Sequence, residues 1–144
     1  MCSSDLFDGN GKLHARRCGV ACHVGVLADI RSIGVGKTPY CLPDEGITRA
    51  SLSKMYEDAH LAERPGSNCP IVTDSGETVA AILRGAHSKV PLYISVGHRV
   101  SLASALSLIH RLTKNAHIPE PVRQADLRGR AYVRRYVEEQ KKSH

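Results

Sequence analysis

The sequence predicts an α/β fold, a sheet with helices packed on it, from three observations. Short apolar runs of strand length alternate with segments of helical spacing along most of the chain. Thr78–Arg84 and Pro91–Val96 are apolar runs joined by Gly85-Ala86-His87-Ser88-Lys89, as in a hairpin or a sheet edge. The length, 144 residues, fits one domain that buries roughly two-thirds of its unfolded surface. In open sheets of this kind, active groups gather at the carboxyl ends of strands.

Taken in order, the elements begin with a defect. Only Leu6 and Phe7 of Ser3-Ser4-Asp5-Leu6-Phe7 are strand-like, so the chain reads as though it begins midway through a strand that delivers Asp8. Residues 14–30 predict a helix, with Val20, Ala21, Val24, Leu27 and Ile30 at helical spacing. Ser32-Ile33-Gly34-Val35-Gly36-Lys37 predicts a short strand ending in Lys37, and Pro39 and Pro43 break the chain soon after. Residues 40–70 are the least regular, with one short helix near Ala50–Leu61. After the two apolar strands, Ser101 is placed as the N-cap of a helix over Ser101–Lys114. Pro119 and Pro121 start a last helix, about residues 121–142, that runs basic to the C-terminus.

Composition narrows the function classes. No apolar run approaches the roughly 20 residues of a membrane span, and the N-terminus has neither the basic region nor the long apolar stretch of a signal peptide. Five cysteines (2, 18, 22, 41 and 69) are odd in number and scattered, which suits reduced thiols in the cytosol or nucleus. The net charge of +6 is uneven: ten basic and ten acidic residues cancel over residues 1–98, while residues 99–144 carry ten basic against four acidic. A localised basic surface is the footprint of a polyanion binder, or of a solvated basic tail helix.

The candidate site residues each admit two readings. Asp8-Gly9-Asn10-Gly11 holds both Asp-Gly and Asn-Gly, so it is a tight turn or a turn presenting Asp8 as a hard-oxygen ligand for Mg²⁺. An EF-hand fails, because Leu13 and Gly19 stand where the loop needs glycine and glutamate. Gly34-Val35-Gly36-Lys37 lacks Walker spacing, leaving Lys37 as a surface charge, a phosphate clamp or a proton source. His98-Arg99 is a capping pair for the following helix or a phosphate-contacting pair. His14, Cys18, Cys22 and His23 fall at helical spacing, but no second close pair completes a zinc site, so small cysteines packing a helix against the sheet is the better account. Asp126, an acid among Arg123, Arg128 and Arg130, is a surface ion-pair partner or a metal-site carboxylate.

In order along the chain stand Asp-Gly-Asn-Gly-x-Leu-His, Gly-Val-Ala-Cys-His-Val-Gly-Val-Leu, Ile-Gly-Val-Gly-Lys, Pro-Leu-Tyr-Ile-Ser-Val-Gly-His-Arg and Pro-Glu-Pro-Val-Arg-Gln-Ala-Asp. Together these five motifs resemble endonuclease V of the vertebrate type from Asp8 to about Val137, weakly over residues 38–70. Ala15 and Gly36 are mild departures, where proline and alanine are common. The resemblance implies a ribonuclease H-like mixed sheet with flanking helices. It also implies a metal-dependent endonuclease, using Mg²⁺ with Mn²⁺ able to substitute, that cuts inosine-containing RNA or DNA at the second phosphodiester bond 3′ to inosine. Carried over by position, Asp8, Asp126, Lys37 and His98 are the catalytic candidates, Asp8 and Asp126 as metal ligands. Gly11, His14, Arg99 and Arg123 are the nucleic-acid-binding candidates.

Family members carry a further catalytic aspartate, a catalytic glutamate and a Tyr-x-Pro-Gly wedge ahead of the position of Asp8. The seven residues present there cannot supply them. The expectation is therefore a partial ribonuclease H-like domain over residues 1–144, missing the leading strands, with a hydrophobic edge exposed. Such a chain is expected to be weakly active or inactive alone, or to act as a catalytically defective nucleic-acid-binding isoform. The expected partner is single-stranded RNA or DNA containing inosine, the expected state a monomer, and the expected location the cytoplasm and/or nucleus, including the nucleolus.

Overall fold

The computed structural model describes residues 4–113 and 117–142. Five strands, β1 (Asp5–Asp8), β2 (Ser32–Gly36), β3 (Asn68–Val72), β4 (Thr78–Arg84) and β5 (Pro91–His98), form one sheet in the order β1-β2-β5-β4-β3. β1 runs parallel to β2 and the other neighbours are antiparallel, so the sheet is mixed. The helices are α1 (Val20–Ala28), α2 (Arg49–Asp58), α3 (Leu102–Leu112) and α4 (Glu120–Lys142). This is the α/β architecture the alternation predicts. Among the described residues no helix is long and apolar enough to cross a membrane.

Two hydrophobic clusters hold the layers together. On one face, Leu13, Leu42, Ile47, Leu52, Leu61, Ile71, Ile82 and Tyr93 pack beneath α2 and the irregular segment around it. On the other, Ile33, Val35, Leu83, Leu92 and Ile94 pack against Ala105 and Ile109 of α3. The period-2 alternation of strands explains the split, since Ile82 and Leu83 point to opposite faces. Local chemistry sets the helix starts: Ser101 Oγ accepts from the Ser104 N–H at 3.1 Å, and Thr48 and Ser51 form a reciprocal capping box at α2.

The predicted helix over 14–30 begins only at Val20, because residues 9–19 are a folded loop in which Arg17 takes a left-handed φ of 54°. Its buried face also differs: Ala21, Cys22 and Gly25 are inside, while Val20 and Leu27 are 47% and 77% exposed. The reason is closeness of approach. A Cβ on Gly25 would stand 2.1 Å from Ser32 Oγ and 2.6 Å from His98 Cβ, so only the small-residue side of α1 fits the sheet. Cys22 packs there, with its thiol 3.5 Å from the Val96 carbonyl, whereas Cys18, ahead of α1, is exposed. β3 escaped the sequence reading, because Pro70 interrupts it; proline is tolerated there since β3 is an edge strand. The last residue of the predicted helix Ser101–Lys114 lies outside the described residues.

Candidate functional site

The parallel pairing of β1 with β2 brings Asp8, the last residue of β1, beside the end of β2. Lys37 follows directly, and its Nζ lies 2.6 Å from Asp8 Oδ2, with both side chains partly exposed. The loop after Asp8 lies flat on β2 and β5. The Gly11 N–H donates to the buried Ser95 hydroxyl at 2.8 Å, and the Lys12 N–H donates to the Val96 carbonyl at 2.8 Å. Glycine is required beneath it: a Cβ on Gly34 would meet the Gly11 nitrogen at 2.4 Å. Asn10 Oδ1 is buried without a hydrogen-bond partner. His14 rests its ring on Tyr40, with centroids 5.3 Å apart, and its Nδ1 accepts the Arg16 N–H at 3.2 Å.

An ion-pair network absent from the sequence reading anchors this loop. Lys12 Nζ lies 2.7 Å from Glu77 Oε1, and Arg17 Nε donates to Glu77 Oε2 at 2.8 Å while its outer nitrogen pairs with Glu45. Hydrogen bonding from Lys12, then Arg17, holds the Glu77 carboxyl below the usual carboxylate range. Glu45 and then Glu77 raise the Arg17 guanidinium pKa further. No local sequence pattern links residues 12, 17, 45 and 77; the fold alone assembles them.

His98 and Arg99 stand elsewhere. β5 is antiparallel to β2, so His98 pairs with Ser32 at the start of β2, whereas Asp8 pairs with Val35 near its end. Three residues of register are roughly 10 Å along the strands. The structure therefore unites Asp8 with Lys37 but does not bring His98 to them. Instead His98 Nε2 lies 3.3 Å from Asp29, and Arg99 Nη1 contacts both Asp29 oxygens at 2.8 Å. His98 and then Arg99 hold the Asp29 carboxyl below its ordinary range. Asp29, which caps α1 in the left-handed conformation, was not singled out from the sequence. Its link to Arg99 is a tertiary contact between an α1 terminus and a strand end.

Asp126 and Arg123 lie in the first part of α4, which meets β1. Asp126 accepts a two-point contact from Arg130, at 3.1 and 2.6 Å, and Arg123 pairs with Glu120 at 3.0 Å. Both are the helical ion pairs expected of residues three or four apart. Glu120, hydrogen-bonded by Gln124 and then Arg123, is held below the usual carboxylate range.

The arrangement offers an anchored, glycine-rich turn carrying one carboxylate and one lysine at a sheet end, with imidazole and guanidinium groups at the other. Asp8 and Asp126 are hard-oxygen donors suited to Mg²⁺, which is commonly held by one or two carboxylates together with substrate phosphates. Here each carboxylate is engaged by a cation. Among the described residues no group of three or more His, Cys, Asp or Glu is positioned to hold a metal ion. These residues do not form a divalent-cation cage by themselves.

Comparison with known proteins places this geometry. The Endonuclease V family model matches residues 4–127. Mouse endonuclease V is 46% identical over 131 residues, which are 90% of this chain and 37% of the mouse protein. The human protein is 44% identical over 131 residues, 90% of this chain and 45% of its own length. The crystal structure of the human enzyme superposes with a TM-score of 0.84 at 42% identity, covering 93% of this chain and 55% of that one. A Ciona intestinalis endonuclease V, solved as a variant with a 23mer DNA containing an inosine followed by a ribo-adenosine, has a TM-score of 0.85 at 30% identity, covering 92% and 55%. The chain thus spans about half the length of the relatives it matches. By sequence and by fold, the chain belongs to the endonuclease V family.

Proposed function

We propose that this chain is a metal-dependent endonuclease acting on inosine-containing, single-stranded RNA or DNA. The proposed reaction is hydrolysis of the second phosphodiester bond 3′ to inosine, with Mg²⁺ as the cation and Mn²⁺ able to substitute. The observation that carries this reading is the Asp8–Lys37 pair at adjoining strand ends, beside the anchored turn that bears Gly11 and His14, within a family match over residues 4–127. Lys37 supplies a positive charge for a phosphate, and Gly11, whose Cα packs directly on the β5 backbone, holds the turn that presents Asp8 and His14. The Ciona intestinalis relative with its inosine-containing DNA supports the substrate class. Free Cys18, Cys22, Cys41 and Cys69 support a reducing location, the cytoplasm and/or nucleus.

A second reading, a catalytically defective nucleic-acid-binding form, is favoured by one specific observation. Asp8 and Asp126 are both ion-paired, and among the described residues no third donor joins either of them. Metal-assisted phosphodiester hydrolysis needs carboxylates free to hold the cation and to place water. The two readings separate in one assay: cleavage of a labelled single-stranded RNA bearing one inosine, with Mg²⁺ or Mn²⁺, beside an Asp8→Ala control. Cutting one bond past the inosine that the substitution abolishes supports the enzyme. Retained binding without cutting supports the binding form.

A further inference from the structure

We propose that the outer face of α4 is a stacking platform for unpaired bases, with Tyr132 and Tyr136 as the platform and Arg128 and Arg135 as its phosphate contacts. The proposal rests on the nucleic-acid reading above and adds where the strand flanking the site lies. Tyr132 and Tyr136 are 66% and 55% exposed, and their spacing of four puts them on one side of the helix. Arg128, four residues before Tyr132, and Arg135, three residues after it, fall on that same side. Tyr132, Arg135 and Tyr136, with Glu139, line a shallow surface groove.

Charge decides the occupant. Residues 127–137 contain four arginines and no acidic residue; Arg130 is engaged by Asp126, and Glu139 borders the groove at its C-terminal end, so the positive charge is concentrated on the stretch that carries the tyrosines. Exposed aromatic rings flanked by arginines suit a partner that offers π-faces together with negative charge. Single-stranded nucleic acid meets both demands, because each base presents a π-face and each linkage a phosphate. A duplex hides its base faces and leaves the tyrosines without a role. The position is also suitable. Val122 is buried where α4 meets β1, and Tyr132 and Tyr136 stand about 9 and 15 Å beyond Asp126 along the helix axis.

The test is fluorescence anisotropy with the full chain and a labelled oligothymidylate lacking inosine. Tyr132→Ala and Tyr136→Ala are each expected to weaken binding about 5- to 100-fold. Tyr132→Phe and Tyr136→Phe, which keep the ring, are expected to bind within about twofold of the parent. Arg128→Ala is expected to weaken binding and to flatten its salt dependence. These side chains are exposed, so matched melting curves verify that the variants fold. Unchanged affinity in the alanine variants, or no binding of the oligothymidylate by the parent, overturns the proposal. So does a dimer that Tyr136→Ala converts to monomer, since the face then belongs to a second copy. A preference for inosine over adenosine, measured separately, tests the reading beneath it: if that preference persists while the tyrosine variants bind normally, only the platform fails.

Discussion

Lys37 Nζ lies 2.6 Å from Asp8 Oδ2 because β1 and β2 run parallel and end side by side. The contact makes each group the other's counterion, so a phosphate reaching Lys37, or a cation reaching Asp8, must displace it. A partly exposed pair of this kind stabilises the fold by about 0–1 kcal/mol. Asp8→Asn should therefore leave the melting temperature nearly unchanged. It should tighten binding of nucleic-acid backbone by releasing Lys37, and remove any cation-dependent cleavage. Weakened backbone binding with unchanged folding would show that Lys37 faces no phosphate.

Glu77 ties the loop carrying Gly11 and His14 to the turn between β3 and β4 through Lys12 and Arg17. Glu77→Gln keeps the shape but removes the charge. We expect faster amide hydrogen exchange over residues 11–18 and weaker discrimination for inosine, with exchange in β4 and β5 unchanged. Equal exchange in both proteins would show that the backbone contacts of Gly11 and Lys12 suffice.

Gly34 is the floor of the same loop. An added Cβ would stand 2.4 Å from the Gly11 nitrogen and 2.8 Å from the Gly9 carbonyl oxygen, both backbone atoms. Gly34→Ala should cost about 1–3 kcal/mol of stability, as overpacking does, read by denaturant unfolding. A neutral result would mean that the loop lifts freely from β2.

Acid should loosen the fold from its surface inward. Asp29 and Glu77 are held below the usual carboxylate range, so their contributions are present above that range and lost as pH falls through the depressed values. Burial lowers the pKa of His117, which adds the same sign: stability present above the ordinary imidazole range is lost as pH falls below it. Melting temperature should fall from neutral to acid pH. Asp29→Asn combined with Glu77→Gln should flatten the carboxylate part of that dependence.

Strands carrying unbroken apolar runs were legible in the sequence. Thr78–Arg84 matches β4, and Pro91–Val96 needs only Gly97 and His98 to become β5. The Ser101 cap was legible too, because a cap is a local hydrogen bond. What was not legible depends on tertiary approach. α1 turns its small residues to the sheet and leaves Leu27 outside, because Ser32 and His98 admit no side chain at Gly25. The site divides in the same way. Asp8, Lys37 and His98 all stand at or just after strand carboxyl ends, but His98 falls at the opposite end of the sheet from the other two, because the antiparallel direction of β5 relative to β2 has no signature in its own residues. Asp29, Arg17, Glu45 and Glu77 are single charges whose partners lie far away in the chain.

The proposed function requires that the loop beside Asp8 and Lys37 recognise inosine. The most direct measurement is competition binding of the 144-residue chain to two single-stranded RNAs that differ only in inosine or adenosine at one position. Parent protein should bind the inosine strand tighter by about tenfold, the equivalent of about 1.4 kcal/mol, and Glu77→Gln should narrow that gap. Equal affinity for the two strands in the parent chain would contradict the claim.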